Sequence, residues 1–195
     1  MTSILVVCTG NICRSPIAEG FLRDALVARF GTDAPTVSSA GTWGVEGMAA
    51  TPEAVTTALE RGSDIGAHRA RRLSLVRPAE ADLVLGMAGE HRAALVDEPG
   101  MVDRTFTLKE LVRVLESLPS VEPGAGPDSL GQRVAQAART RQSGFTGNPL
   151  DEDVADPLGM PLQSYRAIAW ELDEWIARLV DGLYGVVPVS ATTEG

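Results

Sequence analysis

A chain of 195 residues is long enough to bury one full α/β core and short for two independent ones. Its 44% hydrophobic and 22% charged residues are those of a globular domain and exclude a disordered or fibrous chain. A net charge of −9 opposes phosphate-rich partners, so neither nucleic acid nor a membrane surface is expected, and no apolar run reaches the roughly 18–20 residues of a membrane span.

Residues 3–8 (SILVVC) are a continuous apolar run ending before a glycine, the pattern of a strand buried on both faces. Met1 leads almost directly into that run without a basic stretch or cleavage-like site, so no signal peptide is expected and the cytoplasm is the expected compartment. Ser15 and Pro16 fit an N-cap and first helical position, and Ile17, Phe21, Leu22, Ala25 and Leu26 continue at helical spacing to Gly31. A strand follows over Thr36 to Ala40. Thr51-Pro52 opens a helix that stops near Gly62, Asp82 to Met87 is a third strand, and a helix from about Gly89 to Asp97 comes next. The run His68-Arg69-Ala70-Arg71-Arg72 has the look of a solvated face.

Val102 to Phe106 reads as a short fourth strand, and Thr107 with Glu110 has capping-box spacing for a helix reaching about Leu118. Residues 119–128 are loop-like, and Ser129 to Gln142 is helical in pattern but poor in large apolar residues, so 119–150 is expected to be an insertion on the surface. The last helix, Leu162 to about Tyr184, carries Tyr165, Ile168, Leu172, Trp175, Ile176, Leu179 and Leu183 along one stripe that must face the core. Residues 185–195 are expected to be a frayed tail. Strands alternating with helices predict a three-layer α/β/α, flavodoxin-like domain with a four-stranded parallel sheet and ligands at the C-terminal strand ends.

The loop from Cys8 to Ser15 lies at such an end. A loop between a buried strand and a helix N-terminus turns successive N–H groups into one concavity, where the helix dipole favours an anion. Thr9, Gly10, Asn11, Ile12, Cys13, Arg14 and Ser15 would form that cradle. Gly10 allows a tight turn, Asn11 tolerates a left-handed conformation, and Arg14 offers a planar fork for two phosphate oxygens. Both cysteines of the chain sit here, five residues apart, too close to staple a domain of this size with a disulfide. A free thiol is a few per cent ionised at neutral pH, whereas a helix N-terminus and a nearby arginine can bring such a thiol to roughly 3.5–7.5. A thiolate under a bound phosphoryl group is placed for in-line attack.

Cys8-x5-Arg14-Ser15 in the form CTGNICRSPIAE, with SAGT (Ser39 to Thr42), the stretch from Gly62 to Arg71, ADLVLGM and a distal Asp156-Pro157, resembles the low-molecular-weight protein tyrosine phosphatases. The resemblance covers about 1–118 and 151–184, and makes 1–184 a single phosphatase domain. It implies Cys8 as nucleophile, Arg14 as phosphate clamp and Asp156 as general acid, and it places Asn11, Ser15, Ser39 and His68 in a hydrogen-bond set that supports the loop. From the residues alone, His68 would be a surface histidine. Asp151, Glu152 and Asp153 are expected to be solvated, and His91, with nothing comparable behind it, exposed.

Cys13 is open to two readings, a small core-facing residue or a resolving thiol that captures oxidised Cys8 as a disulfide; the redox role is the expected one. Trp43 and Leu158 are candidates for the substrate rim, although the family's aromatic residues after Asp-Pro are replaced here by Leu158-Gly159-Met160. The resemblance implies that an apolar residue at the position of Ile12 goes with phosphotyrosine and threonine with phosphoarginine, so a phosphotyrosine-containing protein or small aryl phosphate is the expected substrate and phosphoarginine the alternative. No metal and no cofactor are expected. Two other classes share the loop. A thioredoxin-coupled arsenate reductase would need a further cysteine pair that this sequence lacks, and a non-catalytic phosphoryl-binding module would have lost Cys8 or Asp156.

Overall fold

The computed structural model describes residues 2–121, 125–145 and 151–186. The central strand β1 (Ser3–Cys8) alternates its side chains between two cores. Ile4, Val6 and Cys8 enter the larger core, while Leu5 and Val7 join Ala40, Ala81, Val84, Leu95 and Met101 in a smaller one. A strand apolar on both faces can sit only inside a covered sheet. It pairs in parallel with β2 (Thr36–Gly41) on one side and β3 (Leu83–Gly86) on the other, and β3 pairs in parallel with β4 (Thr105–Thr107). The order is β2-β1-β3-β4, so connections leave β1 in opposite directions along the sheet and open a crevice beyond its C-terminal end. The expected four-stranded parallel, three-layer arrangement is present.

Six α-helices occur among the described residues. Helix α1 (Arg14–Phe30) packs on β2 and on the long α6 (Leu162–Tyr184), and α2 (Pro52–Glu60) packs against both helices. On the opposite face, α3 (Gly89–Val96) covers β3 and β4. The stripe read from the sequence of α6 is buried as expected, with Trp175 partly covered beneath Arg113 and Arg178. Burial of each large aliphatic side chain on that stripe contributes about 1.5–3 kcal/mol. Helix α4 (Leu108–Ser117) begins at the predicted capping box: Glu110 N–H donates to Thr107 Oγ1 at 3.1 Å, and Thr107 N–H donates to Glu110 Oε2 at 3.2 Å.

Three expectations need correction. Helix α1 starts at Arg14 with Cys13 as its cap residue, so Ser15 is not the N-cap and Pro16 takes the third helical position. Proline is tolerated there because its missing N–H would be one of the four left unpaired in any first turn. Strand β4 begins only at Thr105. Within 119–150, α5 (Leu130–Gln142) does not merely lie on the surface: Leu130, Val134, Ala137 and Ala138 belong to the main core. The two alanines let the helix approach closely, so a seam with only two larger aliphatic residues, Leu130 and Val134, still buries. Arg133 then ties it down by donating to Gly182 O of α6 at 2.9 Å and Leu115 O of α4 at 3.4 Å. Residues 122–124 and 146–150 of that segment, and 187–195 of the expected tail, lie outside the described residues. Among the described residues, no helix is long and apolar enough to cross a membrane.

Gly41 closes β2 where it meets the loop after β1. A Cβ there would lie 2.5 Å from Thr9 O and 3.0 Å from Asn11 N, both backbone atoms that cannot swing aside. Gly41→Ala is therefore expected to destabilise the domain by about 1–3 kcal/mol, read as a lower urea midpoint with an unchanged m-value; an unshifted midpoint would show that the loop has slack.

Candidate active site

The loop after β1 is held from outside by its carbonyls. Cys8 O accepts from Thr42 N–H, Thr9 O from Trp43 N–H and Ile12 O from Thr51 N–H, each at 2.9 Å, and Asn11 O meets His68 Nε2 at 2.8 Å. With the carbonyl edge turned outward and occupied, the N–H edge is left to face the crevice. Among the described residues no acceptor meets the N–H groups of Gly10, Ile12 or Cys13. That edge, at the N-terminus of α1, is suited to an anion.

Asn11 makes this turn possible. It has φ of +56°, a left-handed conformation that asparagine tolerates better than most residues, and it is fully buried. Its Nδ2 donates to Ser15 Oγ at 2.9 Å and Ser39 Oγ at 2.7 Å, its Oδ1 accepts from Arg71 N–H at 2.7 Å, and its own N–H points to Cys8 Sγ at 3.2 Å. Ser15 Oγ lies 2.9 Å from the same sulfur. The sulfur thus sits beneath the loop among hydrogen-bond donors, the surroundings a thiolate needs. Behind this layer Ser39 Oγ donates to Glu19 Oε2 at 2.5 Å, and His68 Nδ1 lies 3.8 Å from the same oxygen.

Arg14 is buried and joins the loop to a segment more than a hundred residues away. Nη1 donates to Val154 O at 3.1 Å, and Nη2 donates to Thr9 Oγ1 at 3.3 Å and to Asp156 Oδ2 at 2.5 Å. A buried guanidinium must be paired, and these acceptors pair it. Asp156 is half-exposed and its other oxygen accepts from Leu158 N–H at 3.1 Å, so the carboxylate is braced yet open to the crevice.

The carboxylate segment is fastened at several points. Val154 is buried and its N–H bonds Met87 O at 2.7 Å, while Gly89 N–H, at the start of α3, donates to Asp153 Oδ1 at 2.7 Å. Lys109 Nζ, buried on α4, lies 3.0 Å from Asp151 Oδ1 and 2.6 Å from Glu171 Oε1. Lys109 and Arg113 together hold the Asp151 carboxyl below its ordinary range, whereas burial pushes Glu152 up. Asp151 and Asp153 are exposed, but they are structural fasteners rather than idle solvated charges.

Asn11, Ser15, Ser39 and His68 lie together, the last three each bonded to Asn11. Trp43 and Leu158 flank the loop and Asp156 with exposed side chains, 80% and 55% accessible. Cys13 and Cys8 are both free and buried. Cys13 Sγ lies 3.5 Å from Tyr165 Oη and 3.7 Å from Thr51 Oγ1, and burial pushes its thiol up, with Asp156 and Cys8 adding to the effect. Burial also takes Tyr165 up to about 12.

His91 is not exposed. It is completely buried, with Nε2 3.0 Å from Thr9 Oγ1, and burial followed by the charge of Arg14 holds its ring below the ordinary histidine range. The basic run is not wholly solvated either: Arg71 turns its guanidinium inward onto Ser39 O at 2.7 Å. Sequence reasoning missed Glu19, Arg71 and Thr51. Glu19 lies one helical turn beyond Ser15, the spacing that could have revealed it.

The fold and loop define a doubly wound α/β protein with an anion cradle, a cysteine and an arginine at its switch point. The model of the low molecular weight phosphotyrosine protein phosphatase family matches residues 3–123, and the chain belongs to that family. It is 33% identical over 181 residues to a protein-arginine-phosphatase of Geobacillus stearothermophilus, covering 92% of this chain and 95% of the relative. It is 40% identical over 110 residues to EpsP of Ralstonia solanacearum, described as a probable low molecular weight protein-tyrosine-phosphatase, covering 56% of this chain and 72% of that one. Among solved structures, the YwlE arginine phosphatase from G. stearothermophilus superposes with a TM-score of 0.67 at 30% identity, over 94% of this chain and 93% of that one. A low molecular weight protein tyrosine phosphatase from T. tengcongensis gives 0.67 at 34%, over 94% and 100%.

The two thiols should differ in reactivity. Iodoacetate at neutral pH, itself an anion, is expected to alkylate Cys8 and spare Cys13, whose raised pKa keeps it protonated, and inorganic phosphate should slow the reaction. Peptide mapping by mass spectrometry reads the outcome; preferential labelling of Cys13, or no protection by phosphate, would contradict the geometry.

Proposed function

We propose that this protein is a cytoplasmic phosphatase that hydrolyses phosphotyrosine in proteins, and small aryl phosphates, through a cysteinyl-phosphate on Cys8. The observation that carries the proposal is the Arg14 guanidinium, which touches Thr9 of the cysteine loop and the Asp156 carboxylate at once. A phosphoryl dianion in the cradle accepts from the N–H groups of Gly10, Ile12 and Cys13, which no acceptor meets among the described residues, and from Arg14. The Cys8 thiolate attacks phosphorus in line, forming the S–P bond as the P–O bond to the leaving group breaks, and Asp156 gives that oxygen its proton. Asp156 then takes a proton from water as the water attacks phosphorus, releasing inorganic phosphate and restoring the thiolate. Positioning and charge stabilisation suffice for such a transfer.

The rim supports an aryl substrate: Trp43, bonded to Thr9 of the loop, and Leu158, bonded to Asp156, expose apolar surface, and Ile12 of the cradle is itself apolar. A second substrate, phosphoarginine, is favoured by two observations. The relative that spans 92% of this chain is named a protein-arginine-phosphatase. The exposed Glu90 carboxylate, 3.5 Å from Thr9 Oγ1, would also suit the cationic guanidine of such a substrate. Cys13 is assigned the resolving thiol: a sulfenic acid on Cys8 condenses with the Cys13 thiol to a disulfide and water, which protects Cys8 from further oxidation.

Turnover of 4-nitrophenyl phosphate in EDTA tests the assignment. Cys8→Ser should abolish it and Asp156→Asn should lower kcat by about 10²–10⁴-fold; activity surviving Cys8→Ser, or lost to the chelator, would refute it. Phosphotyrosine and phosphoarginine peptides compared side by side settle the substrate, with the higher kcat/KM expected for phosphotyrosine.

A further inference from the structure

We propose that His91 is a positioning residue that acts through Thr9 to hold the Arg14 guanidinium at the cradle, a role that rests on the phosphatase assignment above. The ring nitrogen Nε2 is 3.0 Å from Thr9 Oγ1, and that oxygen accepts from Arg14 Nη2 at 3.3 Å. A hydroxyl has one proton and two lone pairs. In the tautomer of a neutral His91 that carries its proton on Nδ1, Nε2, which also lies 3.4 Å from Glu90 Oε1, accepts the Thr9 proton, and this fixes the rotor and turns a lone pair of Oγ1 toward the arginine. Without that acceptor, the hydroxyl would rotate toward Glu90 Oε1 at 3.5 Å and its hold on Arg14 would slacken.

The ring is a poor choice for stability alone. His91 is fully buried, yet its Nδ1 has no partner among the described residues. A buried ring N–H without an acceptor costs free energy that an apolar side chain of the same size would not. The fold nevertheless draws the ring in. Gly86, at the end of β3, leaves room for His91, whose Cβ would lie 3.2 Å from any Cβ added there, and Asp153 pins the first N–H of α3. The charged groups that face His91 are Arg14 from α1, Glu90 from its own helix, and Asp153 and Asp156 from the carboxylate segment.

When a phosphoryl group enters, Arg14 must redirect donors from Asp156 to phosphate oxygens, while Thr9 Oγ1 and Val154 O remain to fix the guanidinium plane. His91 therefore sets how well the cradle grips an oxyanion, and leaves the nucleophile itself alone. This predicts a loss in oxyanion affinity without a loss in stability, the reverse of what a packing residue would give.

The test compares His91→Leu, His91→Gln, Thr9→Val and the double variant Thr9→Val/His91→Leu in the full chain, by kcat, KM, the Ki of inorganic phosphate and the urea midpoint. His91→Leu should keep or raise the midpoint while kcat/KM falls about tenfold and phosphate inhibits more weakly. His91→Gln, whose amide reaches the Nε2 position, should recover most of the loss, and the double variant should be no worse than Thr9→Val. A lower midpoint with unchanged kinetics, or additive losses in the double variant, would overturn the proposal. If His91→Leu does not fold, Thr9→Val carries the test, and an unchanged phosphate Ki in it would overturn the proposal equally. Cys8→Ser separates the two levels: turnover surviving it removes the phosphatase assignment, whereas Cys8-dependent turnover indifferent to His91→Leu removes only the role of His91.

Discussion

The site depends on one residue held in a conformation it would not choose by itself. Asn11, at φ of +56°, reverses the chain so that loop carbonyls face the protein and loop N–H groups face the crevice. Strain of this kind costs of order 1–3 kcal/mol and persists only where the surroundings over-determine it. Here Ser15, Ser39, Arg71 and His68 supply that over-determination, each bonded to a different polar group or proton of the same asparagine. Ser39 and Arg71 also bond each other, so the support is a closed network drawn from α1, the edge strand β2 and the segment before β3.

Arg14 extends that constraint across the crevice. In the proposed reaction the cradle selects the anion and Asp156 supplies the proton to the leaving group, and the guanidinium bonds both the loop and that carboxylate. The carboxylate segment is correspondingly rigid where it is described, with Val154, Asp153 and Asp151 tied to β3, α3 and α4. Asp156 remains half-exposed at its end. Rigid anchors with an open tip suit a group that must meet a substrate and later a water.

The sheet, its parallel topology and all six helices were legible because hydrophobic periodicity and caps write them locally, as in SILVVC and in Thr107 with Glu110. The cradle was legible for the same reason: Cys8 through Ser15 is one contiguous string. Asp156 needed the family resemblance, since no local pattern separates it from the neighbouring acids. What stayed hidden was long-range. Glu19 meets Ser39, Thr51 meets Cys13, and His91 meets Thr9 only after the chain has folded. Helix α5 was underestimated because alanine carries little hydrophobic signal, although it buries completely when backbones come close.

The proposed chemistry requires this loop to grip a tetrahedral oxyanion directly over the Cys8 sulfur. A crystal structure of the protein with orthovanadate tests it most directly. Vanadium bonded to Cys8 Sγ, with its oxygens met by the N–H groups of Gly10, Ile12 and Cys13 and by Arg14, is the result expected. Vanadate bound elsewhere, or a Cys8 sulfur turned away from the loop with Arg14 still closed on Asp156, would contradict it.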